Sequence, residues 1–170
     1  MHIRPLLLSA VILFAAVSAS LAEPKFTGPA PDVLVKELYK LHDAQKGPFA
    51  DTKKKAVVER FFGKELAELI RTKAAGEDGE MGALDFDALY GSQDPQIKGF
   101  KVGEVHFGGV LKREDDEPID GLAVLDVNFK DSGKPVRIGV QCEQDAKKAW
   151  KIVDLHYSDG RSLSGILRGE

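Results

Sequence analysis

The sequence predicts an α+β domain, in which amino-terminal helices pack on a curved four-stranded antiparallel sheet and a short helix ends the chain. Two observations lead to this fold class. Apolar residues recur at helical spacing up to about residue 75, and they alternate with polar residues after Pro95. Helical patterns followed by a run of strand patterns are typical of α+β folds, in which the helices cover one face of the sheet.

The first predicted helix covers residues 32–45, where leucines recur at helical spacing and a Gly-Pro pair at 47–48 provides the stop. The second helix is expected to begin at a side-chain cap, because Asp51 or Thr52 precedes its first apolar residues. Its stripe of valines and phenylalanines ends just before a glycine. Both segments therefore present one apolar face to a core.

Gly63 is predicted to separate the second helix from a third, which continues the apolar stripe through residue 75. The polar, glycine-rich run at 76–82 is predicted to be a loop. At the other end of the chain, residues 161–169 are predicted to form a short helix that docks on the sheet. The domain is therefore expected to span residues 31–168 as a single unit, which is an ordinary size for one domain.

Two central strands form a predicted hairpin around the turn sequence DSGK at 131–134. Alternation assigns to the core Ala123, Leu125, Val127 and Phe129 on one strand, and Val136, Ile138, Val140 and Cys142 on the other. The outer strands, at 100–107 and 149–157, each change phase along their length. For the first of them we expect a β-bulge at Gly103.

The amino terminus has the pattern of a secretory signal peptide, predicted here as residues 1–22. Arg4 precedes an uncharged apolar run at 6–17, and small residues end in Ala22. The apolar run is shorter than the roughly 20 residues that a membrane span requires. We therefore expect cleavage near Ala22, an extended leader at 23–30, no membrane span in the mature chain, and a periplasmic or secreted protein.

Composition narrows the possible partners and cofactors. Removal of Arg4 with the signal changes the formal charge from −3 to −4, which disfavours nucleic acid as a partner. Cys142 is the only cysteine, so no internal disulfide is possible. No metal site is predicted, because His42, His106 and His156 lack ligand spacing. No cofactor is predicted either, since no dinucleotide or phosphate-binding glycine motif occurs.

The order of elements, together with the motif LDFDALYGSQD at 84–94 and the final-strand motif AWKIVDLHY at 149–157, resembles a bacterial family known as domain of unknown function 3828. The resemblance covers most of residues 31–168. That family is similar to the nuclear-transport-factor-two-like superfamily, whose cone-shaped, cystatin-like folds enclose a pocket between sheet and helices. The resemblance therefore implies a cone pocket, and it implies no reaction.

The aspartate-rich motif is the first candidate site, with Asp85, Asp87, Tyr90 and Asp94 as candidate ligand-binding residues. In one interpretation the aspartates cap a short helical turn and initiate the next one, and no ligand is involved. In the other, the segment lies over the mouth of the cone, where Asp87 and Tyr90 point inward and bind a polar ligand or act as acid and base.

Asp154 and Trp150 are the second candidate site. On a regular strand Asp154 shares a face with Trp150 and Ile152, so its carboxylate would be drawn toward the apolar interior. A buried carboxylate needs hydrogen-bond donors. The backbone of the following SDGRSL segment or Arg161 could provide them, or Asp154 could instead be the carboxylate of the pocket.

Two classes of function follow from these candidates. One is an exported, non-catalytic binding module that uses the cone pocket or the outer sheet face to hold a small molecule, a peptide or an envelope protein. The other is a small isomerase- or hydrolase-like enzyme that uses Asp154 with Asp87 and Tyr90. The two classes differ in whether these three side chains line one water-accessible cavity.

Overall fold

The computed structural model describes residues 27–74, 82–108 and 121–170. The predicted signal peptide, the first half of the predicted leader and all but the last residue of the predicted loop at 76–82 lie outside these ranges. Thr27, the first described residue, forms a parallel bridge with Ala149, and its N–H donates to the carbonyl of Lys148 at 2.9 Å. The described chain therefore begins beside the last strand.

Helices precede an antiparallel sheet, which confirms the predicted α+β class. The strands follow the order β1-β3-β4-β5, and β2 pairs with β3 beyond the end of β1. Within the described ranges no helix has the length and apolar character that a membrane crossing needs. The elements are α1 Pro31–Asp43, α2 Lys55–Phe61, α3 Lys64–Leu69 with a π-helical turn Ile70–Ala74, β1 Ile97–Val102, β2 His106–Phe107, β3 Leu122–Asp131, β4 Lys134–Gln144, β5 Trp150–His156 and α4 Leu163–Arg168.

The helices follow the predicted pattern, except at the start of α2. Neither Asp51 nor Thr52 caps that helix, which begins at Lys55 without a side-chain cap. Asp51 is used one turn earlier, where its carboxylate accepts the N–H of Lys53 at 3.2 Å. Gly63 does separate α2 from α3, and its N–H donates to the carbonyl of Ile152 at 2.8 Å, which covers the outer edge of β5.

A packed core fills the space between the helices and the inner face of the sheet. Leu38, Phe61 and Ile138 are at most 1% exposed. Burying one side chain of this size stabilises the fold by roughly 1.5–3 kcal/mol. The resemblance implied an open pocket between the sheet and the helices. In the described part of the chain, buried apolar side chains fill that space. The eight core positions predicted for the hairpin all face this interior, and only Val136 is partly exposed.

The two outer strands contain the irregularities that their phase changes suggested. The sequence at 100–107 forms two strands separated by residues 103–105, and Gly103 still donates its N–H to the carbonyl of Asp126 on β3 at 2.7 Å. The bulge expected at Gly103 lies instead between Lys98 and Lys101, where Gly99 has a φ of 67°. That angle favours glycine.

In β5 the register shifts by one residue opposite Gln141 and Cys142, so Val153 is the extra residue of a bulge. Trp150 and Ile152 point into the core, and after the bulge Leu155 does so too. The prediction that Asp154 shares their face is therefore wrong. A bulge reverses the alternation of every residue that follows it, so Asp154 lies on the outer face.

Candidate functional site

The motif at 84–94 forms a tight turn that Asp87 holds together. Oδ1 of Asp87 accepts the backbone N–H groups of Leu89 at 2.9 Å and Tyr90 at 3.2 Å. The carbonyl of Asp87 accepts the N–H of Gly91 at 2.7 Å, and its own N–H donates to Ser92. The capping interpretation is thus correct for this aspartate.

All three tyrosines of the chain are located at this turn: Tyr90 is part of it, and Tyr39 and Tyr157 donate hydrogen bonds to its carbonyl groups. The hydroxyl of Tyr39, on α1, donates to the carbonyl of Leu89 at 2.7 Å. Tyr157 follows β5, and its hydroxyl donates to the carbonyl of Ala88 at 2.8 Å. Burial is the main cause that raises the pKa of all three tyrosines, Tyr90 included. The phenols therefore stay neutral at physiological pH and act as hydrogen-bond donors.

Two residues from the end of α1 complete this cluster. Nε2 of His42 lies 2.6 Å from Oδ2 of Asp87, and the hydroxyl of Tyr90 donates to Oδ1 of Asp43 at 2.6 Å. The sequence search considered His42 only as a metal ligand and did not consider Asp43. The sequence contained one weak indication that His42 faces other residues of the fold: it lies three residues after Tyr39, and thus on the core-facing side of the helix.

These side chains line a surface cavity of about 510 Å³, which we name the rim groove. It lies between the end of α1, the turn at 84–94 and β1, at the edge of the core. His42, Asp43, Asp87 and Tyr90 form one wall, and Ile97 to Phe100 form the other. Two of the predicted candidates, Asp87 and Tyr90, are therefore brought together.

The two remaining aspartates of the motif are not part of this arrangement. Asp85 and Asp94 are both exposed, and neither lines the rim groove. The backbone N–H of Gln96, just after the motif, is bound by Asp131 at 2.8 Å and not by Asp94. In the described part of the chain we find no ligand-binding geometry around either residue.

Asp154, a residue of β5, lies away from this cluster and contacts the start of α4. Its Oδ1 accepts the N–H of Leu155 at 2.8 Å and the N–H of Ser164 at 3.0 Å, and its Oδ2 accepts the hydroxyl of Ser164 at 2.5 Å. Arg161, which was considered as a partner, pairs instead with Asp159 at 2.8 Å. Asp154 thus joins β5 to the first turn of α4.

A second cavity, of about 780 Å³, opens beside Asp154, and we name it the outer groove. Its floor is the outer face of β4 and β5, including Gln141, Glu143 and Val153. Its walls come from α3 and α4, including Leu69 and Arg168. The other candidate of this strand, Trp150, is 3% exposed in the core and lines neither groove.

Most charged side chains at the outer groove are bound to neighbouring parts of the fold. Nζ of Lys151 donates to the carbonyls of Glu59 at 2.7 Å and Arg60 at 2.9 Å, at the end of α2. The carboxylate of Asp145 accepts the N–H groups of Lys147 and Ala149. These charges therefore shape the groove. Glu143 and Lys64 also line it, as does Gln141, whose Oε1 lies 3.4 Å from Nε2 of His156.

Among the described residues, no group of three or more histidine, cysteine, aspartate and glutamate side chains is arranged to hold a metal ion. Gly139 lies on the outer sheet face next to the outer groove, where a further cavity of about 440 Å³, the hollow, also includes Gln141 and His156. Gln141 belongs to both cavities, so the hollow continues the outer groove across the sheet.

No family model matches the chain, and no curated protein matches it. Among solved structures, it is similar to a phospholipid-binding protein from Ralstonia solanacearum, whose structure was solved in complex with a phospholipid. The two chains are 21% identical, the match covers 82% of this chain and 73% of that one, and the TM-score is 0.34.

Proposed function

We propose that this chain is an exported binding module, which holds a small molecule or a short peptide in the outer groove and does not react with it. The observation that carries the proposal is the groove itself. Its volume of about 780 Å³ falls within the roughly 300–1,000 Å³ of typical ligand pockets. Its lining is mainly polar and charged, with Phe62, Leu66, Leu69 and Val153 as the apolar side chains, so it suits a polar ligand.

The outer groove offers binding groups but no acid–base pair. None of the described residues that line it is a histidine or a cysteine. Among the described residues that line it, the one hydroxyl is that of Ser164, which is bound to Asp154, and Asp154 also accepts two backbone N–H groups. This carboxylate is used to join β5 to α4, so retention of a ligand fits this groove better than its conversion.

The three residues of the predicted enzyme do not share a cavity. Asp87 and Tyr90 line the rim groove, whereas Asp154 lines the outer groove. Convergence of these side chains was the feature expected to favour catalysis. Their separation favours the binding module over an enzyme built from this set.

The binding proposal is tested by native mass spectrometry of protein purified from its own cell envelope. We expect a bound species on the parent protein, and we expect Gln141→Trp to lose it because the indole fills the floor of the groove. Asn128→Trp is the matched control, since Asn128 is an exposed residue of β3 that does not line the groove. Equal occupancy in the two variants would contradict the proposal.

Export is part of the proposal and rests on the uncharged apolar run followed by Ala22. We expect the mature protein to begin at Glu23. Intact-mass measurement of the protein recovered from the periplasm or the medium checks this, and retention of residues 1–22 would argue against a cleaved signal.

A further inference from the structure

The rim groove contains a histidine–aspartate pair that the binding proposal does not use. Nε2 of His42 and Oδ2 of Asp87 are 2.6 Å apart, and their side chains are 11% and 21% exposed. The other carboxylate oxygen of Asp87 is bound by two backbone N–H groups, so the carboxylate has one orientation. The imidazole of His42 is therefore held in place by a fixed partner.

This contact also determines which ring nitrogen carries the proton. An ionised carboxylate only accepts hydrogen bonds, so Nε2 must be the donor. In the neutral ring Nδ1 then has a lone pair. Nδ1 of His42 has no hydrogen-bond partner among the described residues, and His42 lines the rim groove. A base with a fixed orientation thus lies at a water-accessible groove.

Tyr90 adds a proton donor to the same wall. Its ring lies 5.7 Å from that of His42, centroid to centroid. Its pKa is raised by burial first and then by the hydrogen bond to Asp43, so the phenol keeps its proton. A neutral phenol can stabilise negative charge that develops on a carbonyl oxygen.

We propose that the rim groove is a second, hydrolytic site for small uncharged esters, at which His42 is the general base and Asp87 its positioning residue. Nδ1 of His42 takes a proton from water while the water oxygen bonds to the carbonyl carbon. The carbonyl electron pair moves to oxygen, which accepts the Tyr90 hydroxyl as it turns from Asp43. The electron pair on that oxygen then re-forms the carbonyl as the ester C–O bond breaks, and the leaving oxygen takes the proton from Nδ1, which yields the acid and the alcohol.

The lining of the groove determines the substrate class. Asp43 and Asp87 outnumber Lys98, so anionic substrates are disfavoured. Ile97 and Phe100 provide an apolar wall for a short acyl or alkyl group. The reaction needs water and no cofactor. It is independent of the outer groove, so either proposal can fail without the other.

The test uses 4-nitrophenyl acetate as the probe and the mature protein at neutral pH. Three histidines remain after signal removal, which allows a matched design. The control His106→Gln removes an exposed histidine that lines neither groove and should keep the full rate. His42→Gln should lose about 100-fold, since general acid–base catalysis contributes roughly 10²–10⁴.

Asp87→Asn separates positioning from folding. Its amide oxygen can still accept the two backbone N–H groups, so we expect a folded protein in which kcat falls and KM is kept. Tyr90→Phe should also lower kcat. A parent rate no higher than that of free imidazole at equal concentration overturns the proposal, as does an undiminished rate in His42→Gln. Should His42→Gln not fold, an unchanged rate in folded Tyr90→Phe overturns it.

Discussion

Cys142 is fully buried on the inner face of β4, among the apolar residues with which its strand phase grouped it. Burial raises the pKa of its thiol to about 12. The thiolate is the reactive form, so very little of it exists at neutral pH.

We expect Cys142 to react slowly with a thiol reagent in the folded protein and quickly once the chain is unfolded in urea. Because the folded-state pKa is above the usual 9.0, this group supports the fold fully below pH 9, and its contribution is lost as the pH rises toward 12. Stopped-flow labelling at pH 7.5 checks the first point. Rapid labelling under native conditions would show that the inward-facing assignment is wrong.

Asp154 is the residue whose role differs most between the two functional hypotheses. Its carboxylate accepts three hydrogen bonds, two of them from Ser164. We expect Asp154→Asn to destabilise the protein by about 1 kcal/mol, because the amide can replace only part of this set, and Asp154→Ala by about 2–3 kcal/mol.

Denaturant titration at neutral pH measures the free energy of unfolding of both Asp154 variants, and the dependence of that free energy on denaturant concentration should be the same as in the parent. Asp126→Asn is the control, because Asp126 has a 3.5 Å contact with the exposed Arg137 on the same sheet face. Its effect should stay within about 0.5 kcal/mol. An Asp154→Ala protein as stable as the parent would rule out the structural role.

At the scale of elements, the β3–β4 hairpin depends on its two turn residues. Ser132 and Gly133 have φ angles of 48° and 84°, which is the pattern of a two-residue turn with both residues left-handed. No atom lies within 4 Å of a Cβ added at Gly133. Any cost of a larger residue there is therefore backbone strain and not a clash.

We predict that Gly133→Ala lowers the free energy of unfolding by about 1–2 kcal/mol, the usual penalty for a left-handed residue with a Cβ atom. Gly139→Ala is the matched control within the same hairpin. Gly139 is not among the glycines with positive φ, and its added Cβ would have ordinary contacts, the nearest at 3.6 Å. Thermal unfolding compares the two variants, and equal losses would contradict the turn assignment.

Elements also show where sequence reasoning was wrong. The alternation of β5 predicted an inward Asp154, yet the bulge at Val153 turns it outward. The bulge forms where β5 pairs with β4 and with the segment after Phe62, so it depends on partners from other parts of the chain. Similarly, the start of α2 is set without the side-chain cap that its sequence offered.

At the scale of the whole molecule, the three tyrosines connect α1, the turn at 84–94 and the end of β5. All three have a raised pKa, mainly through burial. Their contribution to stability is complete below the ordinary tyrosine pKa of about 10, and it is lost as the pH rises through their higher folded-state values.

We therefore predict that tyrosine ionisation and unfolding coincide at alkaline pH. Absorbance at 295 nm and circular dichroism, recorded in one titration, should change together and well above pH 10. Protein unfolded in urea is the control, and its tyrosines should ionise near pH 10. Three tyrosines that ionise near that value while the circular dichroism stays native would refute the prediction.

The α+β class, the break at Gly63, the hairpin and the inward face of its two strands were all predictable from the sequence alone. These features follow from the spacing of apolar residues within one segment, which is a local property of the chain. The turn chemistry of Asp87 was predictable for the same reason, because its hydrogen bonds reach only two and three residues along the chain.

The candidate sites, in contrast, depend on contacts between segments that are far apart in the sequence. His42 meets Asp87 across 45 positions of sequence, and Asp43 meets Tyr90 across 47. The bulge in β5 turns Asp154 to the outer face of the sheet, away from both pairs, and this bulge depends on the pairing of β5 with β4. Contacts between distant segments result from how the helices and the sheet pack together, and no periodicity within a single segment encodes that arrangement.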